Sequence, residues 1–438
     1  MRDLNLEQVN TWVHGSLKGK GFIQGVQVDN RKITRGDLFV CLRGEKVDGH
    51  TFAQNAVDQG AVALIVDRYL DIDVPQILVK DTLEALRLFG RLYRNSLNAT
   101  FIGITGSNGK TSTKDILFSI FSRVGKTIAT HANQNTEIGT YLNLFRMDYD
   151  TEYGIFEMGL DMPNDVRLMT SIVKPDAALV MSLAPTHIVN FRDEQHIAEE
   201  KFAIFAAVVN DDAKFYQGDF ELYRNLDRGY HTFGFNESNE TIVSDVKSDN
   251  NGIEFKVNGT PYSCNLLGAH QASNCAGVIA LARKLGVDDV DIREGLNHVA
   301  LTSLRTELVE KDKSLVLLDA YKSNPISAIY AIELLKNYDY EGPRVAVLSD
   351  MVELGDNSVE HHIEVLEALE KYEIAEAYLY GPEFKQALTR YTLDNVHVHH
   401  YDTFEALYSD VQGLFKAKQM ILIKGSRYYS LERLMKEA

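Results

Sequence analysis

The chain has 438 residues, 62 of them acidic and 45 basic, for a formal charge of −17. At roughly 150 residues per domain that length predicts about three domains, each large enough for its own core. A hydrophobic share of 45% with only 8 prolines excludes disordered or fibrous chain, and the acidic balance disfavours nonspecific contact with nucleic acid or anionic membranes. A small phosphorylated ligand remains open, because an acidic protein can still gather its basic groups in one cleft. No run of 18 apolar residues occurs, and the start MRDLNLEQVNTWV lacks the basic and apolar segments of a secretory signal. A cytoplasmic protein without membrane insertion is expected. Cys41, Cys264 and Cys275 are scattered and lack metal spacing, so they read as small core residues in a reducing compartment.

In chain order, VQVD, DLFVCL, AVALIV and QILV read as short strands around the helix HTFAQNAVDQG, closed by Gly60. They predict a small N-terminal α/β domain over residues 1–97. Strand ATFIGI then feeds a glycine loop, after which Ile116, Leu117, Ile120, Phe121 and Val124 recur at helical spacing. YGIFEM and DAALVMSL follow as strands between helical segments, the pattern of a doubly wound, mostly parallel sheet. Asn258-Gly259, between extended runs, predicts a hairpin at the side of that sheet. Together these describe a central domain of the P-loop type over 98–307. SLVLLDAY, RVAVLSD, EAYLYGP and MILIKGS alternate with helices again and predict a Rossmann-like domain over 308–438. The charged run EKDK at 310–313 reads as a solvated turn.

The glycine loop TGSNGKTST carries the first chemical signal. The general phosphate-loop pattern fails by one position, because Ile104 stands where its first glycine belongs. Gly106, Ser107, Asn108, Gly109, Lys110, Thr111 and Ser112 nevertheless lie between a strand and a helix. There backbone N–H groups and the helix dipole converge on anionic oxygens. Lys110 would neutralise the charge of a terminal phosphate, and the Thr111 hydroxyl would reach a bound Mg²⁺.

TGSNGKTST followed by HANQNTEIGTYLNL resembles the Mur ligase family, ATP-dependent enzymes that build the peptidoglycan stem peptide. Further segments resemble the family in the correct order: VDNRKITRGDLFVCLRGEKVDGH, FEMGLDMPNDVRLM, IAEEKFAIF, LGAHQASNCAGVIALARKLGV, LRTELVE, VAVLSDMVELG and ILIKGSRYYSLERL. EMG, DMVELG and KGSR point to the branch that joins D-alanyl-D-alanine to a UDP-N-acetylmuramoyl-tripeptide. The resemblance implies ATP and Mg²⁺ as cofactors, those two substrates as partners, and a monomer. In the implied reaction a substrate carboxylate is phosphorylated by ATP and the acyl phosphate is attacked by an amine.

Residue by residue, the resemblance assigns Lys110, Lys201 and His187 to catalysis, and Thr111, Glu157, His187 and Lys201 to metal. Glu157 ends an apolar strand, at the sheet edge where open α/β folds bind ligands. Lys201 lies in a segment whose helical pattern by itself describes a solvated lysine. The family lysine at this position is carbamylated by CO₂, which turns a cation into an anionic ligand. His270, Asn274, Arg305 and Asp319 match ATP-contacting positions. Asn133, Asn135, Asn324, Lys424 and Arg427 match substrate-contacting ones, and Asp29, Asn30, Arg31 and Lys32 match the uridine-binding segment. Four positions depart from the family pattern: Asn30 for a serine, Lys322 and Ser323 for the asparagine and alanine before Asn324, and Ser349 for a glycine. SLAPTHIVNFR also lacks the asparagine and glycines usual around the histidine. A family member using another amine, such as lysine or diaminopimelate, is one alternative. A nucleotide-gated binding protein that hydrolyses ATP without forming a bond is the other.

Overall fold

In a computed structural model, residues 1, 3–303 and 305–436 are described. They form two compact units, each assembled from separate stretches of chain. The first comprises residues 1–103, 125–159 and 167–176; the second comprises 104–124, 160–166 and 177–438.

The first unit holds a five-stranded sheet in the order Ser16–Lys18, Gln76–Leu78, Ala63–Val66, Asp37–Val40, Gly25–Gln27. Its last four strands are parallel and its first pairs antiparallel with its neighbour. The two central strands are buried along their whole length. Both faces must therefore be covered, and residues 38–40 and Ala63–Val66 read as unbroken apolar runs rather than alternating ones. Helix Ala53–Gln59 supplies Ala53 and Ala56 to one face, against Phe39, Leu64 and Val66. It ends at Gly60, whose φ of +118 lets the chain turn back, as its sequence predicts. Strands Thr127–Ala129 and Tyr153–Glu157, parallel to each other, belong to the same unit.

In the second unit, strands Ala177–Val180, Lys214–Gln217, His231–Gly234 and Thr241–Asp249 run parallel in that order. Gly252–Val257 and Thr260–Cys264 add two antiparallel strands. The connection between them is Asn258-Gly259, with φ of 48° and 80°. Positive φ at both central residues is the twist-matched hairpin turn that the dipeptide predicts.

A separate six-stranded sheet runs Glu307–Lys311, Ser314–Asp319, Met420–Lys424, Arg344–Ser349, Glu376–Tyr380, His397–Tyr401. All its pairs are parallel except the first. Alternate residues serve opposite faces: Leu317, Ala346, Leu348 and Leu422 pack under helices Pro325–Asn337 and Ser358–Lys371. Val316, Val345, Val347, Ile421 and Ile423 pack under Phe404–Leu414. A parallel sheet clad on both sides is the Rossmann-like arrangement expected for this part of the chain.

The run EKDK is only partly a turn. Glu310 and Lys311 end a strand, and the turn itself is Asp312-Lys313. Strand pairing across that turn outweighs the poor strand propensity of the charges. All three cysteines are buried and free, as their scatter predicts. Among the described residues no helix is long and apolar enough to cross a membrane.

Candidate active site

The glycine loop lies at the carboxyl end of strand Thr100–Thr105, where Thr105 O accepts from Met181 N and Ser107 N donates to Ser182 O. Two glycines in it are obligatory. Gly106 has φ +152, and a Cβ there would sit 2.7 Å from Met181 Cβ; Gly109 has φ +82, and a Cβ would sit 2.7 Å from Asn274 Oδ1. Neither the backbone angle nor the space admits a side chain. Ser107 is buried and closes the loop base, its hydroxyl donating to Ala184 O at 2.8 Å and accepting from Ala184 N at 2.9 Å. Lys110 opens helix Lys110–Val124 and curls back, Nζ donating to Gly106 O at 2.5 Å. Thr111 is buried in the first turn of the same helix. Glycines closed in by Met181 and Asn274, a helix N-terminus and a lysine over the loop fit a polyphosphate, and a buried Thr111 fits its Mg²⁺.

Residues distant in sequence converge on this loop within the same unit. Asn324 Nδ2 donates to Asn108 Oδ1 at 2.6 Å, joining positions 216 apart. Asn324 also caps helix Pro325–Asn337 in a reciprocal capping box with Ser327. Asn274, whose Oδ1 limits Gly109, is held by Gln271 through Nδ2 at 2.8 Å. His270 precedes the same helix and stacks flat on Tyr330, centroids 4.8 Å apart. Burial pushes the His270 imidazole down to about 4, with Lys424 adding to the drop and Asp319 opposing it. Strand ends Ser314–Asp319 and Met420–Lys424 pair Asp319 with Lys424 in register. Their side chains meet at 2.6 Å, and Lys424 Nζ also donates to Lys322 O at 3.0 Å. Arg305 lies over the Tyr321 ring at 4.5 Å. Arg427 turns to Glu432 at 2.7 Å and is largely exposed.

Lys201 departs from its helical pattern. It is only 1% exposed, not solvated. Burial holds its ammonium well below the ordinary lysine range, Lys110 and Lys322 push the same way, and Asp161 opposes them. A periodicity reading misses this because helix Glu194–Phe202 is apolar at only some positions, and tertiary packing decides which face is covered. His187 has φ +56 and a ring engaged at both nitrogens: Nδ1 meets Glu353, and Nε2 meets Lys322 Nζ at 2.6 Å and Asp161 Oδ1 at 3.0 Å. Burial, then Lys322, holds its pKa below the ordinary imidazole value, while Asp161 and Glu353 oppose them. Motif reading gives no role to Tyr330 or Tyr321, nor to Glu353 and Asp161, although the last two lie within the family-like segments DMVELG and FEMGLDMPNDVRLM; Lys322 stands out there as a departure from the family pattern.

In the first unit, buried Glu157 accepts from Asn135 Nδ2 at 3.0 Å, and Asn135 N donates to Asn133 O at 2.8 Å. Asp29 caps the short turn Asn30–Lys32 and takes Arg31 bidentately, Nε and Nη2 both at 2.9 Å. Asn30 Nδ2 donates to Asn55 at 2.7 Å. Among the described residues no three His, Cys, Asp or Glu side chains are grouped to hold a metal.

Comparison with known proteins gives three family models in succession. Residues 22–94 match the Mur ligase family catalytic domain, 104–282 the Mur ligase middle domain, and 304–427 the Mur ligase glutamate ligase domain. The UDP-N-acetylmuramoyl-tripeptide–D-alanyl-D-alanine ligase of Bacillus subtilis is 31% identical, over 95% of this chain and 93% of its own. A crystal structure of MurF from Acinetobacter baumannii is similar with TM-score 0.87 at 25% identity, covering 99% of both chains. MurF from Thermotoga maritima in complex with ADP is similar with TM-score 0.78 at 26% identity, covering 94% of this chain and 96% of its own. A likeness of that identity running nearly end to end in both partners admits one assignment: this chain belongs to the Mur ligase family.

Proposed function

We propose that the chain is an ATP-dependent amide ligase that joins D-alanyl-D-alanine to UDP-N-acetylmuramoyl-tripeptide. The Bacillus subtilis relative, a UDP-N-acetylmuramoyl-tripeptide–D-alanyl-D-alanine ligase, supports the substrates, and the ADP-bound Thermotoga maritima neighbour supports the nucleotide. One observation carries the mechanism: a glycine cradle and Lys110 share a compact unit with a fully buried lysine, Lys201, that cannot comfortably hold a proton.

In the reaction, a tripeptide carboxylate oxygen attacks the γ-phosphorus of ATP, the bond to the bridging oxygen breaks, and ADP leaves. The amine of D-alanyl-D-alanine attacks the acyl carbon of the resulting acyl phosphate, forms the amide and expels inorganic phosphate with loss of the amine proton. Phosphoryl transfer asks the protein mainly for positioning and charge neutralisation. Gly106 to Ser112 bind the polyphosphate, and Lys110 steadies its terminal charge. Mg²⁺, when bound, would supply further neutralisation; Thr111 of the second unit and Glu157 of the first are each proposed to offer an oxygen to it. Lys201 acts as a carbamate: a neutral buried amine is the form that adds CO₂, and the product is an anion that its cationic neighbours accept. His187 faces the Lys322 ammonium. His270, Asn274, Arg305 and Asp319 hold the nucleotide. In the first unit Asn133 and Asn135 contact the peptide substrate and Asp29 to Lys32 hold the uridine; in the second, Asn324, Lys424 and Arg427 contact substrate. The three domains are 1–97, 98–307 and 308–438, and the enzyme works as a cytoplasmic monomer.

Phosphate release tests the reading. It should require the UDP-tripeptide and D-alanyl-D-alanine together, and lysine or diaminopimelate should not replace the dipeptide. Release from ATP alone at the full rate would leave a nucleotide-hydrolysing protein, not a ligase.

A further inference from the structure

His187 is arranged as a metal-ligating histidine is arranged, but a different cation meets it. Ligating imidazoles commonly give one ring N–H to a carboxylate, which fixes the tautomer and aims the other nitrogen's lone pair at the metal. Here Glu353 takes Nδ1. Nε2 is met by the Lys322 ammonium at 2.6 Å. Asp161 Oδ1, 3.0 Å from the same nitrogen, sets a carboxylate beside that contact. His187 and Glu353 both stand in the left-handed backbone region, with φ of 56° and 64°. Two non-glycine residues in that region, paired through their side chains, mark a constellation that the surrounding structure imposes.

The backbone that carries Lys322 is anchored as well. Lys424 Nζ donates to Lys322 O while bound to Asp319, so the lysine is presented from a braced strand end. Lys322 is also one of the two lysines whose charge acts on buried Lys201. A carbamate there would find a positive charge already supplied by this chain. At the same place the family pattern has an uncharged asparagine. A divalent ion on Nε2 would have to displace the ammonium and then sit against it, so the residues present do not fit a metal ion at His187.

We infer that Lys322 is a built-in cation, its ammonium standing on Nε2 of His187 where the resemblance puts a metal ion, so that this enzyme works with one metal ion fewer. The inference rests on the ligase reading above and concerns the same centre.

Counting bound ions tests it without reference to turnover. Purified full-length chain, in bicarbonate so that Lys201 can take up CO₂, is saturated with UDP-tripeptide and a non-hydrolysable ATP analogue and titrated with Mn²⁺, read by electron paramagnetic resonance. The parent should bind one Mn²⁺ per chain in a nucleotide-dependent way. Lys322→Asn and Lys322→Met, both checked for parental melting, should bind two, and adding His187→Ala to either should return the count to one. Two ions on the parent, or one on both Lys322 variants, would overturn the inference while leaving the ligase intact. A parent that binds no nucleotide-dependent Mn²⁺ would overturn the ligase reading and the inference with it.

Discussion

A lysine almost wholly shielded from water holds its proton weakly, because desolvation penalises the charged form. Lys201 is such a residue, with two further cations acting against it. If it serves as a carbamate, Lys201→Ala should be folded yet nearly inactive. Acetate or formate should restore part of the turnover, and an alkylamine of similar size should not. Rescue by the amine instead would make Lys201 an ordinary cation. His270 gives a second prediction at this scale, in stability against pH. Its imidazole titrates at about 4 in the folded chain against an ordinary 6.5. Between those values the unfolded chain binds the proton and the folded chain does not, so stability falls as pH drops from 6.5 to 4 and is fully present above 6.5. Denaturant midpoints at pH 7 and pH 4.5 should differ more for the parent than for His270→Gln; equal differences would sink the claim.

Among the structural elements, turns carry the sharpest test. Gly109 and Gly259 share a left-handed conformation, φ of 82° and 80°, but only Gly109 is hemmed in, by Asn274 at 2.7 Å. Alanine at either position pays a backbone penalty of roughly 1–2 kcal/mol. Gly259→Ala should lose about that much stability and keep nucleotide affinity, while Gly109→Ala should lose nucleotide binding by calorimetry because Asn274 or the loop must move. Similar affinities for both variants would separate the loop from the nucleotide. These two turns were legible from Asn-Gly and from the glycine loop, because positive φ demands particular residue types. Strands apolar on both faces, such as Ala63–Val66, were legible for the same kind of reason. Strand His397–Tyr401 was not: its run HVHHY lies at the sheet edge, where burial imposes little pattern. Glu310 and Lys311 were misread as turn because charges say nothing of the partner strand that Leu315 and Ser314 provide.

On the scale of the whole molecule, legibility divides differently. The glycine loop and its lysine are contiguous, so order in the chain reveals them. The bond between Asn108 and Asn324, the stack of His270 on Tyr330 and the ring of partners around His187 join residues far apart, and only folding brings them together. Division of labour between domains is also a whole-molecule property. Arg31, 82% exposed and held by Asp29 in a bidentate pair, is presented to solvent rather than spent on the core. Arg31→Ala should weaken UDP-tripeptide binding by calorimetry and leave ATP affinity nearly unchanged; equal loss of both would point to a folding defect.

The account stands most directly on where oxygen goes. With UDP-tripeptide labelled with ¹⁸O in the carboxylate to be joined, plus ATP and D-alanyl-D-alanine, an acyl phosphate requires that one labelled oxygen leave with the inorganic phosphate while the UDP-pentapeptide forms in equal amount. Mass spectrometry of both products should find ¹⁸O-phosphate and pentapeptide at one to one. Unlabelled phosphate, or phosphate released without pentapeptide, would contradict carboxylate activation and with it the proposed role of every residue in the centre.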